Sequence, residues 1–164
     1  MELTEFGGFR FRTVEKNDIP VLGDMMDKAI LAELKRYNIE IKKNDVLKSE
    51  NLLNRYLIEY NAEAYCIYAD NKVVGMVIYW TKTEDKKGLL GHMFVDTEYQ
   101  NMGLGKIMWD FVLSRTPYIR HWDTELPLFS KRGIYFLISK LKFVMTYVEK
   151  KSREDLICHM ELKL

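Results

Sequence analysis

The sequence predicts an α/β (α+β) fold: a mixed, mostly antiparallel central sheet of six to seven strands flanked by about four helices. Segments with the alternating apolar pattern of strands are interleaved with segments whose apolar residues recur at helical spacing. The predicted order is β-α-α-β-β-β-α-β-α-β-β, and the β-α-β unit over residues 89–125 requires a parallel strand pair with a right-handed crossover. With 164 residues and no internal repeat or linker, residues 1–164 are predicted to be a single domain.

The first part of the chain supplies one strand and two helices. Residues 9–14, FRFRTV, alternate apolar and basic side chains and are predicted to form a strand. Residues 17–37 carry apolar residues at helical spacing, and Asn17 or Asp18 can cap this helix. A second helix is predicted over residues 49–60.

Strands dominate the rest of the chain. The strand over residues 89–95 is apolar on both faces, which predicts a central position in the sheet. The other predicted elements are a hairpin of strands 64–69 and 73–80, helix 103–115, strand 118–125, helix 130–141, and strands 143–150 and 155–162.

Composition excludes several classes of function. The 25 Lys and Arg residues nearly balance 24 Asp and Glu, so the net charge of +1 favours neither nucleic acid nor an anionic membrane as a partner. No stretch approaches the roughly 18 uninterrupted apolar residues of a membrane helix, and no signal peptide is expected at the N-terminus. Neither Cys66 nor Cys158 is part of a CxxC motif, which suits a reduced, cytoplasmic compartment and predicts buried packing for both. No spacing of His, Cys, Asp and Glu indicates a metal site.

The most informative motif is the stretch QNMGLG, in which Gln100, Gly103 and Gly105 precede a helix. Unpaired amides and the helix dipole make such a helix start suitable for an anion, and missing side chains let a phosphate approach the backbone. It is neither a Walker A loop nor a dinucleotide fingerprint. Taken alone, a tight strand-to-helix turn explains the glycines equally well.

The pattern Gln-x-x-Gly-x-Gly, directly after a strand that ends in Phe94-Val95, resembles the acetyl-CoA motif of the GNAT acetyltransferase superfamily, and the predicted element order is similar throughout. The resemblance implies acetyl-CoA as cosubstrate, with its pyrophosphate on the backbone amides of residues 101–106. It also implies that the pantetheine arm pairs with the backbone of residues 93–95, where two parallel strands splay apart. The cofactor-binding residues so implied are Met93, Phe94, Val95, Gln100, Asn101, Met102, Gly103, Leu104, Gly105 and Lys106.

The chain departs from the family pattern at the group that protonates the departing thiolate. The family usually has Phe-Tyr-x-x-x-Gly-Phe here, with tyrosine as the acid. In this chain Ile138 takes the tyrosine position and Lys142 the glycine position. Tyr135, one turn earlier, is the candidate substitute, although it could equally be a core aromatic residue.

Acetyl transfer to an amine also needs a group that takes the amine's proton. The positions on the central strand that often supply it in the family are Gly91 and Leu89 here. Asp123 and Glu125 on the following strand are the candidates, since alternation points both side chains the same way. A solvated strand end explains this pair equally well, and His92 is predicted to face the other side of the sheet.

The resemblance therefore implies an N-acetyltransferase that transfers acetyl directly to a primary amine of a small molecule or peptide. The acceptor pocket is expected from residues 18–60 and the last strands, and a homodimer is left open. One alternative is an acyl-CoA-binding sensor or interaction module without efficient catalysis. The other is a small α/β domain whose glycines only make a turn.

Overall fold

The computed structural model describes residues 2–40 and 48–164. Its strands are β1 Thr4–Phe6, β2 Phe9–Thr13, β3 Glu63–Ala69, β4 Lys72–Lys82, β5 Lys87–Val95, β6 His121–Pro127, β7 Val144–Lys150 and β8 Leu156–Lys163. Its α-helices are α1 Ile19–Arg36, α2 Ser49–Asn54, α3 Leu104–Arg115 and α4 Lys131–Ser139. The last turn of the predicted second helix, Arg55–Glu59, is wound as a π-helix.

The predicted fold class is confirmed. The sheet has eight strands in the order β1-β2-β3-β4-β5-β6-β8-β7, so β5 is central as predicted. β5 and β6 are parallel, whereas β1–β2, β2–β3, β6–β8 and β7–β8 are antiparallel. The strand absent from the prediction is β1, whose three residues are too few to show an alternating pattern.

The chain divides into two compact units, one of residues Met1–Ile78 and His92–Phe111, the other of Tyr79–Gly91 and Val112–Leu164. In the first unit the rings of Phe11 and Phe111 stack, with centroids 4.0 Å apart. In the second unit Trp122 is fully buried and meets Tyr79 edge to face at 6.0 Å. Each unit thus has aromatic residues at its core.

Side chains of β6 alternate between buried and exposed positions. Trp122 and Thr124 are buried, while Asp123 and Glu125 are exposed. Thr124 donates its Oγ1 hydrogen to Leu90 O at 2.9 Å, which ties β6 to β5. The parallel pairing of β5 with β6 covers Lys87–Leu90 and His121–Thr124. That the two strands splay apart beyond these residues stays a prediction.

Both cysteines are fully buried, as predicted, and neither forms a disulfide. Burial disfavours the thiolate and raises the pKa of Cys66 to about 12. The same cause raises the pKa of Cys158. In the ranges that the structure describes, every helix is too short or too polar to traverse a lipid bilayer.

An ion pair between a buried arginine and a partly exposed aspartate fixes the entry into α1. Arg12 is 5% exposed and donates both Nη1 and Nη2 to Asp18, at 2.7 and 2.9 Å. Tyr68 Oη accepts a further bond from Arg12 Nη2 at 2.8 Å. Asp18 occupies the N-cap position of α1, but its side chain makes no capping hydrogen bond. Its carboxylate instead binds Arg12 and accepts a hydrogen bond from Glu15 N. The hydrogen bonds from Arg12 hold the pKa of Asp18 below its usual range.

The chain leaves α4 through a residue in the left-handed region. Lys142 has φ of +68°, a conformation that costs a residue with a side chain roughly 1 kcal/mol or more. Phe143 N donates to Leu137 O at 2.9 Å, which closes the end of the helix. Lys142 therefore adopts the backbone conformation that the family's glycine would favour.

Replacing Asp18 with Asn should lower the free energy of unfolding by about 2 kcal/mol, since it leaves the buried Arg12 charge without its counter-ion. The pKa of Asp18 is lower in the folded chain than in the unfolded chain. The stabilisation by its carboxylate is therefore complete above pH ~4, and it is lost as the pH falls through the pKa of the folded chain. Urea unfolding of both proteins from pH 2 to 7 should show a gap that closes at low pH. Asp24→Asn, in an exposed pair with Lys28, is the matched control and should change nothing measurable.

Replacing Lys142 with Gly should raise the free energy of unfolding by about 0.5–1 kcal/mol, because relief of the left-handed strain outweighs the added entropy of the unfolded chain. Lys140→Gly is the matched control, since Lys140 has right-handed helical angles and glycine should destabilise it by about 0.5–1 kcal/mol. Equal destabilisation of both variants in urea would show that position 142 carries no strain.

Candidate active site

The turn between β5 and α3 contains two residues in the left-handed region, Asn101 at φ +64° and Gly103 at φ +79°. A Cβ built on Gly103 meets no atom within 4 Å, so this position opens into empty space. Gly103 O accepts the hydrogen bond of Ile107 N at 3.2 Å and thereby starts α3. The amides of the first turn therefore point out of the helix without an intrahelical acceptor, which is the usual arrangement at an anion site.

Side chains anchor this turn on both sides. Gln100 donates its Nε2 to Val95 O at 3.2 Å, which ties the turn to the end of β5. Leu104 is 2% exposed, whereas Met102 is 62% exposed. Lys106 pairs with Asp110 one helical turn later, so its charge is partly neutralised within α3. An anion at this turn would therefore be bound mainly by backbone amides.

The end of β5, with Met93, Phe94 and Val95, is partly exposed. Gly75 of β4 lies so close that a Cβ there would come within 2.7 Å of Phe94 O. Asp96 N donates to Val74 O at 2.7 Å, which holds the strand end against β4. The backbone of these predicted cofactor-binding residues is therefore held firmly from one side.

His92 on the same strand stacks on the ring of Tyr56 with centroids 5.4 Å apart. Burial disfavours the imidazolium and lowers the pKa of His92. His92 therefore packs against Tyr56 as a partly buried residue.

In the second unit, Asp123 and Glu125 share one face of β6, as alternation predicted, but each belongs to a different cluster. Asp123 Oδ1 lies 3.2 Å from His121 Nε2, and the same nitrogen lies 3.2 Å from Glu161 Oε2. Glu125 Oε2 lies 3.5 Å from His159 Nδ1. The contacts with Glu161 and His159 were not predicted, because they depend on the register of β6 with β8.

His159 is also held from β7. Its Nε2 lies 2.8 Å from Glu149 Oε1, and the ring of Tyr147 stacks on it at 4.2 Å and an angle of 9°. The alternation of His159 and Glu161 with buried Cys158, Met160 and Leu162 was the signal in the sequence that could have placed both on the exposed face.

Two three-residue groups on this face have the composition of metal ligands: His121, Asp123 and Glu161, and Glu125, Glu149 and His159. In each group one ligand atom per residue lies within 4.8 Å of the others. Either group could hold a divalent cation through nitrogen and oxygen. Sequence spacing could not suggest this, since the second group takes one residue from each of three strands.

Tyr135 is 69% exposed and Ile138 is 43% exposed, both on α4. Gly133 of α4 approaches Leu126, to which a Cβ at position 133 would come within 2.9 Å. Leu126 alternates with Glu125 along β6, so α4 contacts the face opposite the two carboxylates. Asp123 and Glu125 therefore share one face of β6, whereas Tyr135 belongs to the helix that contacts the opposite face.

The predicted acceptor region, residues 18–60, is only partly described. Residues 41–47 of it lie outside the described residues. The described part contributes α1 and α2, which are joined where Ser49 N donates to Asp27 Oδ1 at 3.1 Å.

Solved structures of similar fold include a RimL ribosomal L7/L12 alpha-N-protein acetyltransferase in complex with coenzyme A, at TM-score 0.72 and 10% identity, over 99% of this chain and 98% of that one. A spermidine N-acetyltransferase from Vibrio cholerae in complex with CoA and spermine gives TM-score 0.67 and 13% identity, over 94% and 95% of the two chains. At these identities the likeness is one of fold.

A curated sequence relative is the uncharacterized protein YrkN of Bacillus subtilis (strain 168), 28% identical over 97 residues, or 59% of this chain. The chain spans about half of that relative, since the match covers 52% of it. The model of the acetyltransferase (GNAT) family matches residues 29–118, which include β5, the glycine turn and α3. This chain therefore belongs to the GNAT acetyltransferase family.

Proposed function

We propose that this chain is an acetyl-CoA-dependent N-acetyltransferase that transfers acetyl directly to a primary amine of a small molecule or peptide. The observation that carries the proposal is the glycine turn before α3, with its outward amides and the open position at Gly103. It lies inside the segment that matches the family. We also infer that the chain acts in the cytoplasm, because neither of its cysteines is part of a CxxC motif or a disulfide.

In this proposal the cofactor is held by backbone groups. The pyrophosphate lies on the amides of residues 101–106, favoured by the dipole of α3. The pantetheine arm pairs with the backbone of residues 93–95, whose geometry is fixed by the close approach of Gly75. Gln100 supports both parts, because its side chain joins the turn to Val95 O.

The chemistry requires a neutral amine and a carbonyl that is polarised by a backbone amide near Phe94 or Val95. We assign the amine's proton to Glu125, with Asp123 as the second carboxylate of the same face. The leaving thiolate is only weakly basic, so Tyr135 or solvent supplies its proton.

The acceptor is proposed only as a class. Two solved structures of similar fold are an alpha-N-protein acetyltransferase and a spermidine N-acetyltransferase. Similar folds thus act on both protein and small-molecule amines. The described residues of the expected acceptor region do not favour one class of amine over the other, since Glu33 and Glu40 are interspersed with Lys and Arg.

One observation favours a second function. Ile138 stands at the position of the family's acid and is exposed on α4, and isoleucine cannot donate a proton. A chain that binds acyl-CoA without efficient turnover, as a sensor or interaction module, would also need the glycine turn but no acid.

Incubation with acetyl-CoA and a panel of amines, including a polyamine, short peptides with free N-termini and lysine peptides, should give an acetylated product seen by mass spectrometry. Product on at least one amine, absent without the protein, supports the enzyme. Acetyl-CoA binding without turnover on the whole panel would favour the sensor. No rise in unfolding temperature at millimolar acetyl-CoA would contradict both, since ligand at 100 times its Kd should add roughly 2.7 kcal/mol.

Gly103→Glu should abolish acetyl-CoA binding, a loss of about 100-fold or more in Kd by calorimetry, because it puts bulk and negative charge where the pyrophosphate is proposed to lie. Gly8→Glu is the matched control. Gly8 also has a positive φ, +84°, and open space around its Cβ position, but it lies in the β1–β2 turn. Both variants should lose similar stability, and only Gly103→Glu should lose the ligand; normal binding by Gly103→Glu would show that the pyrophosphate lies elsewhere.

A further inference from the structure

One ring nitrogen in the second unit faces two carboxylates at once. His121 Nε2 lies 3.2 Å from Asp123 Oδ1 and also 3.2 Å from Glu161 Oε2. Zn²⁺ binds nitrogen and carboxylate oxygen at about 2.0–2.2 Å, so an ion bound to all three atoms would make an angle of about 100° with each nitrogen–oxygen pair. Because this angle lies between the octahedral and tetrahedral values, the three atoms could bind one ion with little rearrangement.

Paired strands, and not a loop, hold these three side chains. His121 and Asp123 alternate along β6 with Trp122, which is fully buried, so both project from the opposite face. Glu161 is the direct cross-strand partner of Asp123 on β8, and the next residue, Leu162, is buried. A slip of either strand would expose these buried side chains, so the packing of one face fixes the positions of the three groups on the other.

Two of the three groups carry the same charge. Asp123 and Glu161 are directly opposite each other on β6 and β8, and like charges in such a pair are destabilising. A neutral His121 with its hydrogen on Nε2 has only that one hydrogen to share between the two oxygens. Lys163 lies 3.6 Å from Glu161 Oε1 and so leaves Oε2 directed at His121. The repulsion is independent of the distances, and it too favours a divalent cation among the three atoms.

The second group of metal-ligand composition is arranged differently. Its carboxylates contact different nitrogens of one ring, with Glu125 3.5 Å from His159 Nδ1 and Glu149 2.8 Å from Nε2. Tyr147 stacks on this ring at 4.2 Å and fixes its orientation. Neither nitrogen of His159 faces both carboxylates, so this group lacks the common point that His121 provides, and its residues can serve as matched controls.

We propose that His121, Asp123 and Glu161 form a binding site for one divalent transition-metal ion of the Zn²⁺ type, which joins β6 to β8. An imidazole nitrogen among the donors favours such an ion over Mg²⁺ or Ca²⁺, which prefer oxygen ligands. The side chain of Asp123 is 56% exposed, so water can fill the remaining positions around the ion. The site goes beyond the proposed acetyl transfer and does not require it, because all three ligands belong to one unit and binding alone tests them.

Calorimetric titration of the full chain with ZnCl₂, after removal of metals with a chelator, should show one ion bound per chain. His121→Gln and Asp123→Asn should each weaken binding by about 100-fold or more, since loss of an outer partner alone costs about 10–100-fold at metal sites. His159→Gln and Glu125→Gln, from the second group, are the matched controls and should bind Zn²⁺ as the native chain does. Ca²⁺ should show no comparable binding.

Two further measurements locate the ion. Co²⁺ bound in place of Zn²⁺ should absorb without a sulfur-to-metal charge-transfer band, because both cysteines are buried. Zn²⁺ should also slow amide hydrogen exchange in β8 of the native chain but not of His121→Gln, because the ion holds β8 to β6.

No saturable Zn²⁺ binding, native affinity in His121→Gln, or loss of binding only in the second-group variants would each overturn the site. A sulfur band or equal affinity for Ca²⁺ would also overturn it, because ligands of another kind would then hold the ion. None of these outcomes depends on turnover or on acetyl-CoA, so the site and the proposed function can fail separately.

Discussion

The alternation of side chains along β6 decides which residues of the second unit are core and which can take part in chemistry. One face buries Trp122 and Thr124, and Thr124 bonds Leu90 O of the parallel neighbour. Those contacts leave no freedom to rotate or slip the strand, because a shift by one residue would expose the tryptophan and bury carboxylates. The acidic face with Asp123 and Glu125 is therefore a consequence of how firmly the other face is packed.

The two halves of the proposed reaction differ in what holds them. The proposed cofactor side consists of backbone groups, whose conformation is set by Gly103 and by the close approach of Gly75 to Phe94 O. The contacts of His159 with Glu125 and Glu149 join side chains from three strands, and they depend on a bulge in β7 that places Tyr147 opposite His159. Backbone recognition tolerates varied side chains, whereas the contacts of His159 depend on the registers of β8 with both β6 and β7.

This difference explains what the sequence could predict. The fold class, the central position of β5 and the glycine turn follow from local patterns, which alternation, helical spacing and glycine signal directly. The shared face of Asp123 and Glu125 also follows from one strand. The partnership of Glu125 with His159 could not be predicted, because residues so far apart in sequence meet only through the β6–β8 register. The left-handed conformation of Lys142 could not be predicted either, since the residue type alone does not indicate it.

The burial of Cys66 and Cys158 has a practical consequence for anyone who studies this chain. With both side chains enclosed and the pKa of Cys66 near 12, the folded protein has almost no thiolate to react with a chromogenic disulfide reagent at neutral pH. Such a reagent would then count coenzyme A as it is released, with little background from the protein itself. On unfolding, the two cysteines become reactive, so the same colour change also reports loss of the native state.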